Sequence, residues 1–221
     1  MTHRIDVTLP AEAAQRGAKV PGRRRLAWTP ISRHLTSDLQ RLNGTERIMT
    51  TEQAEEFVIS RVLNAPRPLV FNCFTDVEHM KHWWGPKGVT IVKSSMDLCP
   101  GGTYHYGMRN RDGGIMWGRF VYREIVAPER IVLISSFSDE NGGLARAPFF
   151  DGKWPLEMYS TFLFEEVDGN KTRFSVKWKP LNATAEEIET FASNFQSMNG
   201  GWTGTLEKFE AYLATVISQK E

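Results

Sequence analysis

The chain lacks the residues that mark several functional classes. It has two cysteines, Cys73 and Cys99, in 221 residues. They form no C-x-x-C pair, and no Cys/His spacing matches a zinc site. The expectation is two reduced thiols in a reducing compartment, which points to the cytoplasm. No run of about 18 apolar residues occurs, so no membrane-spanning helix is expected. The N-terminus has no apolar core of the kind a secretory signal carries. Neither sign of charge dominates, with 27 Lys/Arg against 26 Asp/Glu. There is no P-loop, no G-x-S-x-G, no H-E-x-x-H and no dinucleotide fingerprint. The sequence therefore gives no support to nucleotide-cofactor, serine-nucleophile or zinc-hydrolase chemistry, and neither a cofactor nor a metal is expected.

What is present divides unevenly. Residues 1–48 carry nine Lys/Arg and four Asp/Glu, whereas residues 49–221 carry 18 and 22. The first segment, with Arg23-Arg24-Arg25 at its densest point, fits a basic disordered extension, an organelle transit peptide or an over-extended reading frame. The third reading is preferred, because Met49-Thr50-Thr51-Glu52 leads directly into a first strand. The acidic remainder offers no electrostatic footprint for nucleic acid. Its composition suffices for a core without disulfides. One domain is expected over residues 49–216, with residues 217–221 as a tail.

Periodicity assigns the elements of that domain. Glu56–Leu63 reads as a strand, and Arg67–Thr75 as a short helix with Pro68 in its first turn. Asp76 caps a second short helix that ends at about Trp83, before Gly85-Pro86. Strands follow over Thr90–Leu98, Thr103–Asn110, Ile115–Val126, Arg130–Ser138, Leu156–Val167 and Lys171–Lys179, separated by Gly- and Asp-rich turns. Residues Asp139–Pro155 read as a long loop, a feature often functional. Thr184 and Glu187 form a capping box. From there Ile188, Phe191, Phe195, Met198, Trp202, Leu206, Phe209, Leu213 and Val216 recur at threes and fours, which predicts one helix of about 30 residues, ~45 Å long. Gly200-Gly201 inside it predicts either a kink or a close approach to the sheet. A curved antiparallel sheet has one face to bury, and this helix is the element long enough to cover it.

Several local sequences, in this order, resemble the Aha1-like (activator of Hsp90 ATPase homologue) family of the START/Bet v 1-like, or SRPBCC, superfamily. They are Ala65-Pro66-Arg67 with Val70-Phe71, Phe74-Thr75-Asp76, Trp83-Trp84-Gly85-Pro86, Asp97 to Gly102, Glu124 to Ile131, and Gly201-Trp202 with Leu206 and Phe209. The resemblance spans roughly residues 55–214. It implies an α+β helix-grip fold: a curved antiparallel sheet wrapped around a long C-terminal helix, with two short helices after the first strand and a cavity between sheet and helix. It also implies binding of a hydrophobic or aromatic small molecule. Alternatives within the same superfamily are a cyclase (polyketide cyclase-like), dehydratase or hydrolase, and a co-chaperone that contacts an Hsp90. Relatives of the last kind use a separate N-terminal domain, for which residues 1–48 are too short and too polar. No nucleic-acid or membrane partner is expected, and a homodimer is left open.

The candidate cavity wall follows from alternation and helical spacing. It comprises Trp83, Trp84, Tyr104, Tyr106, Phe120, Tyr122, Phe137, Met158, Phe162, Trp178, Phe195, Met198 and Trp202. Core packing explains any one of them. Together they bring several Tyr and Trp polar tips to an apolar wall, which suits an amphipathic ligand better than a dry core. An empty apolar void of about 300 Å³ would cost ~7 kcal/mol, so the cavity is expected to be small, wet or filled. Trp83 and Trp84 are adjacent and cannot both face one core, so one packs inward and the other either covers a neighbouring strand or lines the cavity mouth. His79 and His82 have a metal-compatible i, i+3 spacing but no evident third ligand, so they read as surface histidines. His105 alternates with Tyr104 and Tyr106 and should point away from the cavity, as should Arg119 and Glu157. No acid–base pair can be assembled from the wall.

Overall fold

The computed structural model describes residues 54–219. The basic extension and the Met49 start inferred from sequence lie outside the described residues. The chain runs β1 (Phe57–Leu63), α1 (Arg67–Thr75), α2 (Val77–Trp83), β2 (Thr90–Met96), β3 (Thr103–Arg109), β4 (Ile115–Val126), β5 (Arg130–Ser138), β6 (Glu157–Val167), β7 (Lys171–Leu181), α3 (Ala185–Ser193) and α4 (Phe195–Ser218). The seven strands form one sheet in the order β1-β7-β6-β5-β4-β3-β2, and every neighbouring pair is antiparallel. Consecutive strands from β2 to β7 are joined by hairpin-type connections. Only β1 to β2 is not local, and α1 and α2 carry the chain from one sheet edge to the other.

The two-residue period of the strands decides which side chains meet the helices. In β3, Tyr104, Tyr106 and Met108 are buried while Thr103 and Arg109 are exposed. In β7, Phe174 and Val176 are buried while Lys171 and Arg173 are exposed. From the helical side, α4 buries Trp202, Leu206, Phe209, Leu213 and Val216. Phe74 of α1 is the hub of the packed half of the core. The rings of Trp83, Phe162, Phe164, Phe174 and Phe209 lie 4.5–5.8 Å from it. Four of these pairs are edge-on and the Phe174 pair is tilted; aromatic pairs of this kind add about 0.5–1.5 kcal/mol each beyond the area they bury.

The C-terminal helix differs from the single rod expected from its periodicity. Asn194 stands between α3 and α4 with φ −105° and ψ 13°, outside helical geometry. Its side-chain amide donates to the Thr190 carbonyl at 2.7 Å, which takes over an orphan acceptor at the end of α3. The apolar spacing runs through the break because α4 resumes at the next residue. The break is thus at Asn194 and not at the glycines. A Cβ at Gly200 or Gly201 would meet nothing within 4 Å, so neither marks a close approach to the sheet. The Thr184–Glu187 capping box is present, and α4 continues to Ser218, into the segment read as a tail.

Candidate functional site

One half of the sheet–helix interface is packed solid, and the other half holds a cavity of about 320 Å³. Its helical wall is one face of α4: Ser197, Met198, Gly201, Trp202 and Thr205, with Asn194 just before. These positions are spaced by three and four, so they point the same way. The sheet contributes Tyr106 and Met108 from β3, Met116, Gly118 and Phe120 from β4, Ser135 and Phe137 from β5, Met158 from β6 and Trp178 from β7. Trp84, Gly85 and Pro86 line it from the turn after α2, and Phe149, Phe150, Trp154 and Pro155 from the β5–β6 loop.

Eight of the candidate residues meet here: Trp84, Tyr106, Phe120, Phe137, Met158, Trp178, Met198 and Trp202. The other five pack elsewhere. Trp83 is fully buried against Phe74 and Phe209, and its indole N–H donates to the Cys73 carbonyl at 3.2 Å. Tyr104 is stacked behind Tyr106, with ring centroids 4.9 Å apart. Tyr122 is buried opposite Leu133, and Phe162 sits between Phe74 and Phe174. Phe195 faces Phe57 and Phe191. Alternation had given the correct face for Tyr104, Tyr122 and Phe162, but the cavity occupies only the other end of that face. Cross-strand register locates it: Tyr106 opposes Gly118, and Ser135 opposes Met158, while Ile131 and Phe162 pair in the filled half.

The residues that create the space are small, so large aromatics alone do not mark it in the sequence. A Cβ on Gly118 would lie 2.6 Å from both Cζ and Oη of Tyr106, so the tyrosine ring crosses β4 only because position 118 is glycine. Gly85, at φ +93°, has Met108 Sδ 2.6 Å from where its Cβ would be. The turn it belongs to is held by Lys208, whose ammonium donates to the carbonyls of Gly85 at 3.0 Å and Val89 at 3.1 Å. Burial lowers the pKa of that lysine. The aromatic loop was the other omission. Phe149, Phe150, Trp154 and Pro155 are unusually apolar for a connection, and that density was the readable signal. Trp154 stacks on Phe150 at 5.1 Å and contacts Phe191 of α3. Ion pairs Arg146–Glu187 and Lys153–Glu186 tie the same loop to the first turn of α3.

Among the described residues the wall carries no Asp, Glu, Lys, Arg or His. Its ionisable lining residue is Tyr106, whose phenol is pushed up to about 12 by burial, against a smaller opposing pull from the Trp84 indole N–H. Among the described residues that N–H reaches hydrogen-bond geometry with no partner, and neither does the N–H of Trp178. Each unpaired buried donor costs about 1–3 kcal/mol. Ser135 is satisfied by Ser160, Oγ to Oγ 2.9 Å, and Thr205 donates to the Gly201 carbonyl. The arrangement offers shape, aromatic surface and neutral hydrogen bonding. His105 lies outside it, stacked on Trp117 with Nε2 3.1 Å from the Asp139 carbonyl. Arg119 donates to the Gly142 carbonyl in the same β5–β6 connection. His79 bonds the Tyr212 hydroxyl through Nδ1 at 2.7 Å, and His82 stacks on the same ring. Among the described residues no group of three or more His, Cys, Asp or Glu is placed to hold a metal, and no helix is long and apolar enough to cross a membrane.

A curved antiparallel sheet closed over a C-terminal helix with a cavity between them defines the helix-grip class. Within it, the profile of the family described as "Activator of Hsp90 ATPase homolog 1-like protein" matches residues 64–214, and the chain belongs to that family. No curated protein matches the chain. Among solved structures, a protein from Mycobacterium smegmatis is 23% identical with TM-score 0.57, covering 72% of this chain and 90% of its own. A protein from Arthrobacter aurescens is 24% identical with TM-score 0.59, covering 76% and 90%. A third, from Silicibacter pomeroyi, is 18% identical with TM-score 0.55, covering 73% and 99%. At these identities the likeness establishes the fold.

Proposed function

We propose that the protein binds a hydrophobic or aromatic small molecule in the cavity between the sheet and α4. The observation that carries this is the pairing of volume and chemistry: about 320 Å³ of space, walled by five tryptophans (Trp84, Trp117, Trp154, Trp178 and Trp202), several phenylalanines and methionines, and a few neutral polar groups. That is the composition of a ligand pocket. Trp84, Trp178 and Trp202 form a corner, with Trp202 at 5.7 Å from Trp84 and 5.4 Å from Trp178, both edge-on.

Native mass spectrometry of the full chain, purified from the cells that make it, tests the proposal. A reproducible added mass that leaves on denaturation is the expected result. Gly201→Leu, which places a side chain on the cavity face of α4, should abolish it. An added mass retained by Gly201→Leu would place the ligand elsewhere. A clean apo mass in the wild type would count against a tightly held ligand.

A further inference from the structure

Resting on that reading of the cavity, we propose that its ligand is an uncharged, ring-bearing molecule and that the site rejects the same skeleton once it carries a formal charge. Binding sites for carboxylates, phosphates or amines place a counter-charge or a cluster of aimed donors against the ligand's charged group. Among the described residues the wall holds no counter-charge, and its free donors are the two separate, neutral indole N–H groups of Trp84 and Trp178. Cations on the elements around it have partners outside it, Lys87 with Glu207 and Lys93 over the outer Trp117 ring among them. Lys208 is spent on two backbone carbonyls of the Gly85–Val89 turn. Arg146 and Lys153 of the aromatic loop are paired with Glu187 and Glu186. Arg119, on the outer face of β4, donates to the Gly142 carbonyl.

The wall is also fixed in its neutral form. Tyr106 keeps its proton throughout the physiological range, because burial raises its phenol to about 12. It therefore presents a hydroxyl and never a phenolate. A charge carried deep into this space would lose part of its hydration and gain no counter-charge, a penalty that reaches several kcal/mol in protein interiors. A neutral ring system loses little hydration and gains dispersion contacts from Trp84, Trp202 and Phe120.

Two fluorescent probes with one skeleton separate the cases. N-phenyl-1-naphthylamine is neutral, and 1-anilinonaphthalene-8-sulfonate adds a single sulfonate. Each is titrated into the full chain at pH 7, into Gly201→Leu, and into Gly200→Ala as a control outside the wall. The expected result is that the neutral probe binds at least about 30-fold more tightly than the sulfonate. Its binding is lost in Gly201→Leu and kept in Gly200→Ala. Equal or tighter binding of the sulfonate, itself abolished by Gly201→Leu, would overturn the neutral-ligand inference and leave the cavity reading standing. Binding of the neutral probe that is indifferent to Gly201→Leu would overturn both.

Discussion

Replacing Gly118 by alanine should destabilise the protein, and replacing Tyr106 as well should reverse the sign. Position 118 faces Tyr106 across the β3–β4 pair. An added methyl would sit 2.6 Å from the phenol carbon and oxygen, well inside van der Waals contact. The ring cannot swing aside freely, because Tyr104 stacks on it at 4.9 Å and Phe120 and Trp84 close in at 5.6 and 6.0 Å. Overpacking of this kind costs about 1–3 kcal/mol. Against it stands the gain of about 0.5–1 kcal/mol when alanine replaces glycine inside a strand. Gly118→Ala should therefore lose about 1–2 kcal/mol. In a Tyr106→Leu background the clashing ring is gone and only the backbone gain remains, so the same substitution should stabilise by about 0.5–1 kcal/mol. Urea denaturation of the four proteins at pH 7 closes the double-mutant cycle. An equal effect of Gly118→Ala in both backgrounds would refute the claim that this glycine exists to seat the tyrosine.

Two further outcomes follow from the same wall. Tyr106 keeps its proton to about pH 12 in the folded chain, and Tyr104 and Tyr122 are also raised by burial. Unfolded tyrosines ionise near pH 10, so above that pH the unfolded chain sheds protons the native one retains, and stability falls by about 1.4 kcal/mol per pH unit for each tyrosine. The loss begins at the unfolded value and continues toward the folded one. Urea midpoints at pH 8 and pH 11 should show it, and Tyr106→Phe should make the drop measurably smaller; an unchanged drop would refute the assignment. On α4, Gly200→Ala should raise stability by about 1 kcal/mol from helix propensity alone, because the position is exposed and open. Gly201→Leu should gain more, about 2–3 kcal/mol, because its methylenes fill apolar space while ending probe binding. Melting curves with parallel probe titrations separate the two, and a destabilised Gly201→Leu would show that the space beside α4 does not admit a side chain.

The sequence made the elements legible because each rests on local chemistry. Arg67–Thr75 and Arg130–Ser138 were read at their observed bounds, the first from its proline and apolar side, the second from a β-branched run between turns. The Thr184 capping box is likewise a local signature. The break at Asn194 was hidden, since the apolar spacing on either side stays in phase. For the wall, period-two alternation supplies a face but no coordinate along it. Tyr104 and Tyr106 were therefore indistinguishable in sequence, although only Tyr106 reaches the cavity. That distinction depends on which residues oppose them: Phe120 faces Tyr104 and Gly118 faces Tyr106. Register is a property of two strands at once. The contribution of Phe149, Phe150 and Trp154 depends in turn on where a long loop folds back, which no local period encodes.

The cavity sits uneasily with the quality of the packing around it. At the slope measured for enclosed core voids, about 24 cal/mol per Å³, a sealed dry space of about 320 Å³ would cost roughly 8 kcal/mol, the upper bound for this one, which opens to solvent beside the exposed Ser197 and Phe149. That is comparable to the whole net stability of an ordinary domain. The half of the core around Phe74 shows that this chain can fill space closely. Filling the other half would need only larger residues at positions such as Ser135 and Gly201, both of which line it. Small residues at those sites, beside indoles with unpaired N–H groups, keep open a space that packing alone would close. Guest molecules, whether water at the neutral polar groups or an apolar ligand against the indoles, lower that cost by restoring the missing contacts. Stability bound up in an open site in this way is the usual trade between stability and function. By that reasoning the glycines and serine of the wall, more than its aromatics, are the residues on which the binding reading rests.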